Sequence, residues 1–409
     1  MKNLISSVVS VSNFFMLAKC PARVNNFSCM KKFLSLFSLV ALAVLNAQET
    51  PTITVSKKSD VHNIAVSPMS GADGTTASQV LTRDLELSGL FSVGSATSAN
   101  FIASGMAGGG TLRGTLADAN GSVLLEKNYT GNARRAAHLF ADDIVSTITG
   151  QRGIAASKIA FVSTRTGRKE IHTADYDGAN VAQLTRDGAI SVAPALSPDG
   201  RRLAYTGYQS GYADIYLIDL DSGARRPLVK FPGTNSGAAF SPDGGRIACT
   251  VSRDGNPELY VVSLSGGARR LTRTPGVESS PSWSPNGGEI VYSNDDSGRP
   301  QLFRISSSGG TRQPIPTGYS YCTEPCWSPD GNKIAFTTRS GGGFSIAVKN
   351  LQTGATQVLA NGENPVWGAN SRHVIYSAGD RLILLDTQTG RPTPIVTGLG
   401  KVSEPTWSR

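Results

Sequence analysis

A phrase that returns every 40 to 44 residues limits what this chain can fold into. It reads Pro194-Ala-Leu196-Ser-Pro-Asp-Gly200, Phe240-Ser-Pro-Asp-Gly244, Pro281-Ser-Trp283-Ser-Pro-Asn-Gly287 and Pro325-Cys-Trp327-Ser-Pro-Asp-Gly331, with shorter copies at Pro365-Val-Trp367 and Pro405-Thr-Trp407. The large apolar anchors at 196, 240, 283, 327, 367 and 407 stand 44, 43, 44, 40 and 40 residues apart. Such a period matches repeat units of four short strands.

Each unit repeats one internal order. In the third, Glu289-Ile-Val-Tyr-Ser293 alternates in polarity, a turn spans 294–300, Gln301-Leu-Phe-Arg-Ile305 follows, and Ser308-Gly-Gly310 precedes a last short strand. This is a meander of strands punctuated by turns. Ser-Pro-Asp-Gly suits a type I turn: proline presets φ at the second position, aspartate bonds the local backbone, and glycine accepts the positive φ that follows. One four-stranded sheet cannot cover both of its faces, so the units must stack around an axis with Trp, Phe or Leu wedged between neighbours. Six anchors therefore predict an all-β six-bladed β-propeller over residues 156–409. The chain ends at Trp407-Ser-Arg409, where the next turn is due, and the missing continuation, Lys158-Ile-Ala-Phe-Val-Ser163 and then Glu170-Ile-His-Thr-Ala174, opens the repeat region. The last strand is expected to complete the blade begun near residue 158, which closes the ring and removes its free edges.

Residues 1–47 read as a leader. They contain Lys2, Lys19, Arg23, Lys31 and Lys32 and no acidic residue; after Met30 two lysines precede an apolar run from Phe33 to Leu45, then Asn46-Ala47. That order is the one of a secretory signal peptide, too short to span a bilayer stably, with Met30 the expected functional start and the periplasm the expected compartment. The alternative is a buried apolar helix. Neither Cys20 nor Cys29 stands in an acylation box. Once these five cations are set aside, 34 of the 39 Lys and Arg face 30 Asp and Glu, a net charge of +4 with the signs interspersed. The basicity thus argues for no nucleic-acid partner. Cys249 alternates inward on an expected strand and should be packed. Cys322 and Cys326 are close enough in sequence to pair in an oxidising compartment, unless strand geometry forbids it.

Residues 48–155 read as a small α/β domain. Val61–Val66 is a strand candidate; Thr75–Ser88 has helical spacing through Val80, Leu81, Leu85 and Leu87, with Gly89 as the stop. Strands are expected at 101–106, 111–116 and 122–129. A second helix, Ala133–Thr149, places Ala136, Phe140, Ile144 and Ile148 on one face. His138 on that helix has two readings, a functional one and an ordinary one as a half-buried residue bonded to backbone or to a carboxylate.

Ile64-Ala-Val-Ser-Pro68, Asp84-Leu-Glu-Leu-Ser-Gly-Leu-Phe91, His138 with Asp142, Ile148-Thr-Gly150, Gly153-Ile154 and Lys158-Ile-Ala-Phe-Val162 follow one another in an order that closely resembles the TolB family, periplasmic propellers of the Tol-Pal envelope system. The resemblance covers both domains after the leader. It implies a monomeric binding protein with no cofactor, metal or membrane span. Such a protein docks the peptidoglycan-associated lipoprotein Pal around the channel mouth, and offers its mature N-terminal segment to the inner-membrane protein TolA, in support of outer-membrane integrity and constriction at division. Carried onto this chain, the Pal-like contacts fall in the loops before the anchors: Thr234, Asn235, Ser236, Gly237 and Ala238, then Glu278, Ser279 and Ser280, then Thr323 and Glu324. Family members carry a histidine where Asn235 stands. The TolA-like contacts fall on Glu49, Thr50, Ile53 and Val55, in a stretch that alternates polar and apolar and could add as a strand to a partner's sheet edge or belong to its own domain. The family's glycine just beyond is absent; Lys58-Ser59-Asp60 stands there.

The residues themselves point to binding rather than catalysis. There is no Gly-x-Ser-x-Gly elbow and no hydrolase domain after the last blade, and His62, His138, His172 and His373 are scattered without metal-ligand spacing. Glu278, Glu324, Glu363 and Glu404 each precede an anchor by three to five residues. They form either a cation or recognition ring at the channel mouth or a solvated rim of separate turns and caps. Arg225-Arg226 and Arg269-Arg270 repeat on blade edges, where charge discourages edge pairing. Two competing readings remain: a hydrolase or lactonase using a channel cation, and a TolB-like paralogue serving another envelope lipoprotein.

Overall fold

The computed structural model of the chain describes residues 61–340 and 342–408. The leader and the candidate TolA-like contacts Glu49, Thr50, Ile53 and Val55 lie outside the described residues. The N-terminal part runs β1 (His62–Val66), α1 (Gly74–Leu87), β2 (Phe91–Val93), β3 (Phe101–Gly108), β4 (Thr111–Asp118), β5 (Val123–Thr130) and α2 (Ala133–Thr149). Its sheet has the order β2-β1-β3-β4-β5, with β1 parallel to both neighbours and the rest antiparallel. Helical periodicity sets what is buried: Ala77, Val80, Leu81 and Leu85 from α1 and Ala136, Phe140 and Ile144 from α2 share one core with the sheet. Helix α2 starts where the Asn132 side chain accepts the Arg135 N–H at 2.9 Å. Strand β2, which the sequence pattern did not predict, is three residues long and shows no alternation; its parallel pairing with β1 defines it.

Six four-stranded antiparallel sheets follow. The first blade joins the chain's last strand, Val402–Trp407, to Lys158–Ser163, Glu170–Asp175 and Ala182–Gln183. This is the expected closure, with Trp407 opposite Ile159 and Val402 opposite Ser163. Ser408 secures it, accepting the Lys158 N–H on Oγ at 2.9 Å and donating its own N–H to Lys158 O at 3.0 Å. Blades two to six begin with inner strands Ser191–Leu196, Asn235–Phe240, Glu278–Trp283, Cys322–Trp327 and Glu363–Trp367. Each inner strand touches the next around a closed ring.

The apolar cores lie between adjacent blades. Trp283 of blade four packs with Ala248, Leu259 and Val261 of blade three, and its indole N–H donates to Ala239 O at 3.0 Å. A basic side chain of one blade also covers the anchor of the next: Arg202 over Phe240, Arg246 over Trp283 and Lys333 over Trp367, at 5.9, 4.9 and 5.2 Å from the ring centres. Cys249 is packed between blades two and three, where burial pushes its thiol up to about 12. The Ser-Pro-Asp-Gly turn forms as expected: Gly200 N–H bonds Ser197 O at 2.8 Å, Asp199 accepts the Arg201 N–H, and Gly200 has φ 67°.

Cys322 and Cys326 are not bridged. They lie four residues apart on one strand, a rise of about 13 Å against the roughly 7 Å limit between bridged Cα atoms. Cys326 Sγ instead accepts the Trp367 N–H of the next blade at 3.5 Å. Ser282 does the same for Trp327 and Thr406 for Leu196. The residue before the anchor thus ties blade to blade wherever it carries a short polar side chain.

Candidate functional site: the channel mouth and the domain seam

Three residues before every anchor, the inner strand takes a left-handed residue and the ladder with its neighbour slips. The six are Ala193 (φ 48°), Gly237 (65°), Ser280 (52°), Glu324 (54°), Asn364 (57°) and Glu404 (54°), and all six inner ladders carry the register shift. Five of these positions are not glycine, and each forces a Cβ toward the carbonyl that follows it, at a cost of about 1–2 kcal/mol. Bulges of this kind re-aim side chains. Here they ring an axial channel of about 370 Å³, lined by Ala193, Gly237, Ser280, Glu324, Asn364, Glu404 and the prolines that follow five of them.

The ring is uneven. On one half, each side chain accepts the backbone N–H of the next bulge. Glu324 Oε2 takes Asn364 N–H at 2.9 Å and the Thr337 hydroxyl at 2.6 Å, Asn364 Oδ1 takes Glu404 N–H at 3.2 Å, and Glu404 Oε2 takes Ala193 N–H at 2.6 Å. On the other half, Ala193, Gly237 and Ser280 are small and leave the wall open. Burial pushes the Glu324 carboxyl up, with the charges of Glu363 and Glu404 adding to it and the two hydrogen bonds opposing it.

The four glutamates picked out by their distance from an anchor are therefore not one set. Only Glu324 and Glu404 occupy equivalent ring positions. Glu278 is buried at the start of its strand, bonded to the Thr274 hydroxyl at 2.8 Å and Asn294 Nδ2 at 3.2 Å, and burial pushes it up to about 7. Asn235 is likewise fully buried: its amide donates to Phe231 O at 2.8 Å and Ala213 O at 3.3 Å. Thr234 is exposed, and Ser236, Gly237, Ala238, Ser279, Ser280, Thr323 and Glu324 are half-buried. Except for Thr234, the candidate docking residues lie on inner strands rather than in loops.

The N-terminal domain packs on the propeller end that carries the anchors and their turns, through a polar seam. Asp84 of α1, 2% exposed, accepts from His138 Nδ1 at 2.7 Å and the Tyr176 hydroxyl at 2.9 Å. Arg134 of α2 donates to Asp177 at 2.7 and 2.9 Å and to Asp175 at 3.2 Å. Burial pushes His138 down, but hydrogen bonds to Asp175 and Asp84 and the surrounding carboxylates outweigh it and raise it to about 9. Burial raises Asp84 on balance, opposed by the hydrogen bonds from His138 and Tyr176 and by the His138 charge; the two donors on its oxygens suit a carboxylate facing an imidazolium. Asp84, His138 and Asp177 converge closely enough to hold a metal ion. The carboxylate oxygens that would ligate it are already taken, those of Asp84 by His138 and the Tyr176 hydroxyl and those of Asp177 by Arg134, so the site is filled by the protein's own donors. Nearby, Arg372, 1% exposed, pairs with Asp386 at 2.6 Å and donates to Gly89 O at 2.9 Å. Gly89 has φ 64°, and a Cβ there would meet Asp386 Oδ2 at 2.6 Å. The Asp84-Leu-x-x-Ser-Gly-Leu-Phe segment is thus the docking edge of the domain, and His138 has the ordinary role of a carboxylate-bonded residue, buried rather than half-buried.

The match to known proteins covers both parts of this architecture. The family model PD40, the TolB beta propeller domain, matches residues 145–409. This chain belongs to the TolB β-propeller family. The TolB crystal structure from Acinetobacter baumannii superposes with a TM-score of 0.77 at 26% identity, covering 85% of this chain and 96% of that one. The Tol-Pal system protein TolB of Geobacter sulfurreducens is 51% identical over 86 residues, 20% of each chain. The TolB homolog of Chlorobium chlorochromatii is 39% identical over 132 residues, 31% of this chain and 30% of that one. The matched stretches thus span a fifth to a third of these curated relatives. Among the described residues of this TolB-family chain, no helix is long and apolar enough to cross a membrane.

Proposed function

We propose that this TolB-family chain is a non-enzymatic, periplasmic component of a Tol-Pal envelope system, docking a Pal-like peptidoglycan-associated lipoprotein at the channel mouth. The observation that supports this reading is the ring of strained left-handed residues lining an axial channel. Strain of this kind persists where the surroundings over-determine it, and it clusters at functional sites. The small half of the ring, Ala193, Gly237 and Ser280, admits a partner segment, and the prolines beside it provide a rigid apolar wall. The acidic half orients the segment's polar groups. The stretch carrying Glu49, Thr50, Ile53 and Val55 serves as the TolA-like attachment by adding as a strand.

Calorimetric titration of the mature chain with the soluble domain of the lipoprotein from the same organism tests the docking. Binding by the parent and its loss in Ala238→Arg, which projects from the channel wall beside the core between blades two and three, is the expected result, read on protein whose melting shows that it is folded. A parent that does not bind removes the reading, and undiminished binding by Ala238→Arg moves the site away from the channel. Deletion of residues 48–57 should abolish capture of the TolA C-terminal domain and leave lipoprotein binding intact.

A further inference from the structure

The antiparallel order of each blade puts the tips between its first-returning and third strands at the same end as the start of the inner strand. In blades one and two these tips and the loop between the blades form one continuous surface. Thr164 N–H bonds Lys401 O at 3.0 Å, Arg168 Nη1 donates to Gly188 O at 2.5 Å, Ser191 N–H bonds Lys169 O at 2.9 Å, and Tyr208 N–H bonds Ile190 O at 3.0 Å. Along this path stand five exposed cations, Arg165, Arg168, Lys169, Arg186 and Lys401. The two acids nearest to them are otherwise engaged: Glu170 is buried and bonded to the Thr185 hydroxyl, and Asp187 pairs with Arg225 at 2.5 Å. Beside the cations stand Ile190, Tyr208 and Tyr212, 47%, 40% and 72% exposed.

We infer that this cationic, tyrosine-bearing end of blades one and two is a second docking patch, and that it receives an acidic surface on the folded body of the protein partner held at the channel. The inference rests on the docking reading above and adds the chemistry of the partner's flank. Three exposed apolar side chains together are a poor feature for solvent and a good one for an interface, where tyrosine and arginine concentrate binding energy. Five like charges without exposed acids among them repel one another until an anionic surface arrives, which also steers the approach. The patch adjoins the small half of the ring through Ser191 and Ala193 of the same inner strand, so a partner segment entering there carries its body over blades one and two.

The test measures association of the lipoprotein domain with the parent, with Arg165→Glu/Arg186→Glu, with Arg165→Lys/Arg186→Lys and with Tyr212→Ala, at ~50 mM and ~500 mM salt. None of these side chains is buried, so unchanged melting is expected throughout. The inference predicts an association rate reduced at least ~10-fold by the charge reversal at low salt, a smaller gap at high salt, parent rates for the lysine pair, and faster dissociation for Tyr212→Ala. Parent-like rates for the reversal, with binding still lost in Ala238→Arg, overturn the patch and leave the docking reading standing; a parent that fails to bind overturns both. Sedimentation of the parent with phosphatidylglycerol vesicles, abolished by the reversal while lipoprotein binding is not, overturns the inference in favour of a lipid surface.

Discussion

Replacing Asp84 by asparagine tests whether the domain seam is an ion pair. The carboxylate is 2% exposed and holds the His138 imidazolium at 2.7 Å and the Tyr176 hydroxyl at 2.9 Å. Asparagine keeps the shape and removes the charge, leaving a buried imidazolium facing Arg134 with Asp175, 3.8 Å away, and Asp177 as its remaining anions. Breaking a buried pair from one side costs about 3–5 kcal/mol. The parent should also carry a pH signature. His138 is raised from 6.5 to about 9 in the fold, so its stabilisation is complete below pH 6.5 and lost as pH climbs to 9. At about 1.4 kcal/mol per pH unit the loss across that window is about 3 kcal/mol. Urea unfolding followed by tryptophan fluorescence reads both effects, since Trp407 sits at the seam with its indole bonded to Ser157 Oγ at 2.5 Å. The variant should lose stability at pH 6 and show a flattened pH profile. Parent stability that stays level from pH 6 to 9, or a variant within about 1 kcal/mol of the parent, would refute the assignment of a charged pair.

Trp407→Ala removes the anchor of the closing strand and should cost about 3–5 kcal/mol, with faster hydrogen exchange along 158–163 than along other second strands. Arg372→Met should destabilise by a similar amount, because Asp386 is left buried and unpaired; the compensating Arg372→Met/Asp386→Leu pair should recover most of it, as chemical unfolding will show. Ser280→Gly should raise stability by up to about 1 kcal/mol, through relief of the left-handed Cβ strain less the entropy that glycine adds to the unfolded chain, and thermal melting would reveal the sign. Cys249 and Cys322 should resist alkylation in the native protein and react only on unfolding, as mass spectrometry before and after denaturant would report.

Much of the propeller was legible because its signals are local. A Ser-Pro-Asp-Gly turn needs a preset φ, a short acceptor and a positive φ within four residues. Strand alternation likewise shows within six. The same logic exposed α1 and α2, whose buried faces recur every three or four positions, and missed β2, which is too short to carry a period. The candidate docking residues were chosen by position relative to the anchors, and that rule could not separate Asn235 and Glu278, buried at strand starts, from Ser280 and Glu324, which face the channel two residues further along. The missing signal was the uniform offset of three from each anchor, which picks out Ala193, Gly237, Ser280, Glu324, Asn364 and Glu404 and no other set.

What the sequence alone determined is the number of blades, their turns and the closure of the ring, since each follows from spacing along the chain. The tertiary structure decided which of those positions meet. Glu324, Asn364 and Glu404 stand 40 residues apart and bond one another's backbones only because the blades close radially. Asp84 and Tyr176 lie in different domains and become one buried network only when the domains pack. Such partners leave no periodic trace in sequence: a hydrogen bond between distant segments requires only two suitable atoms, and the fold alone brings them within 3 Å.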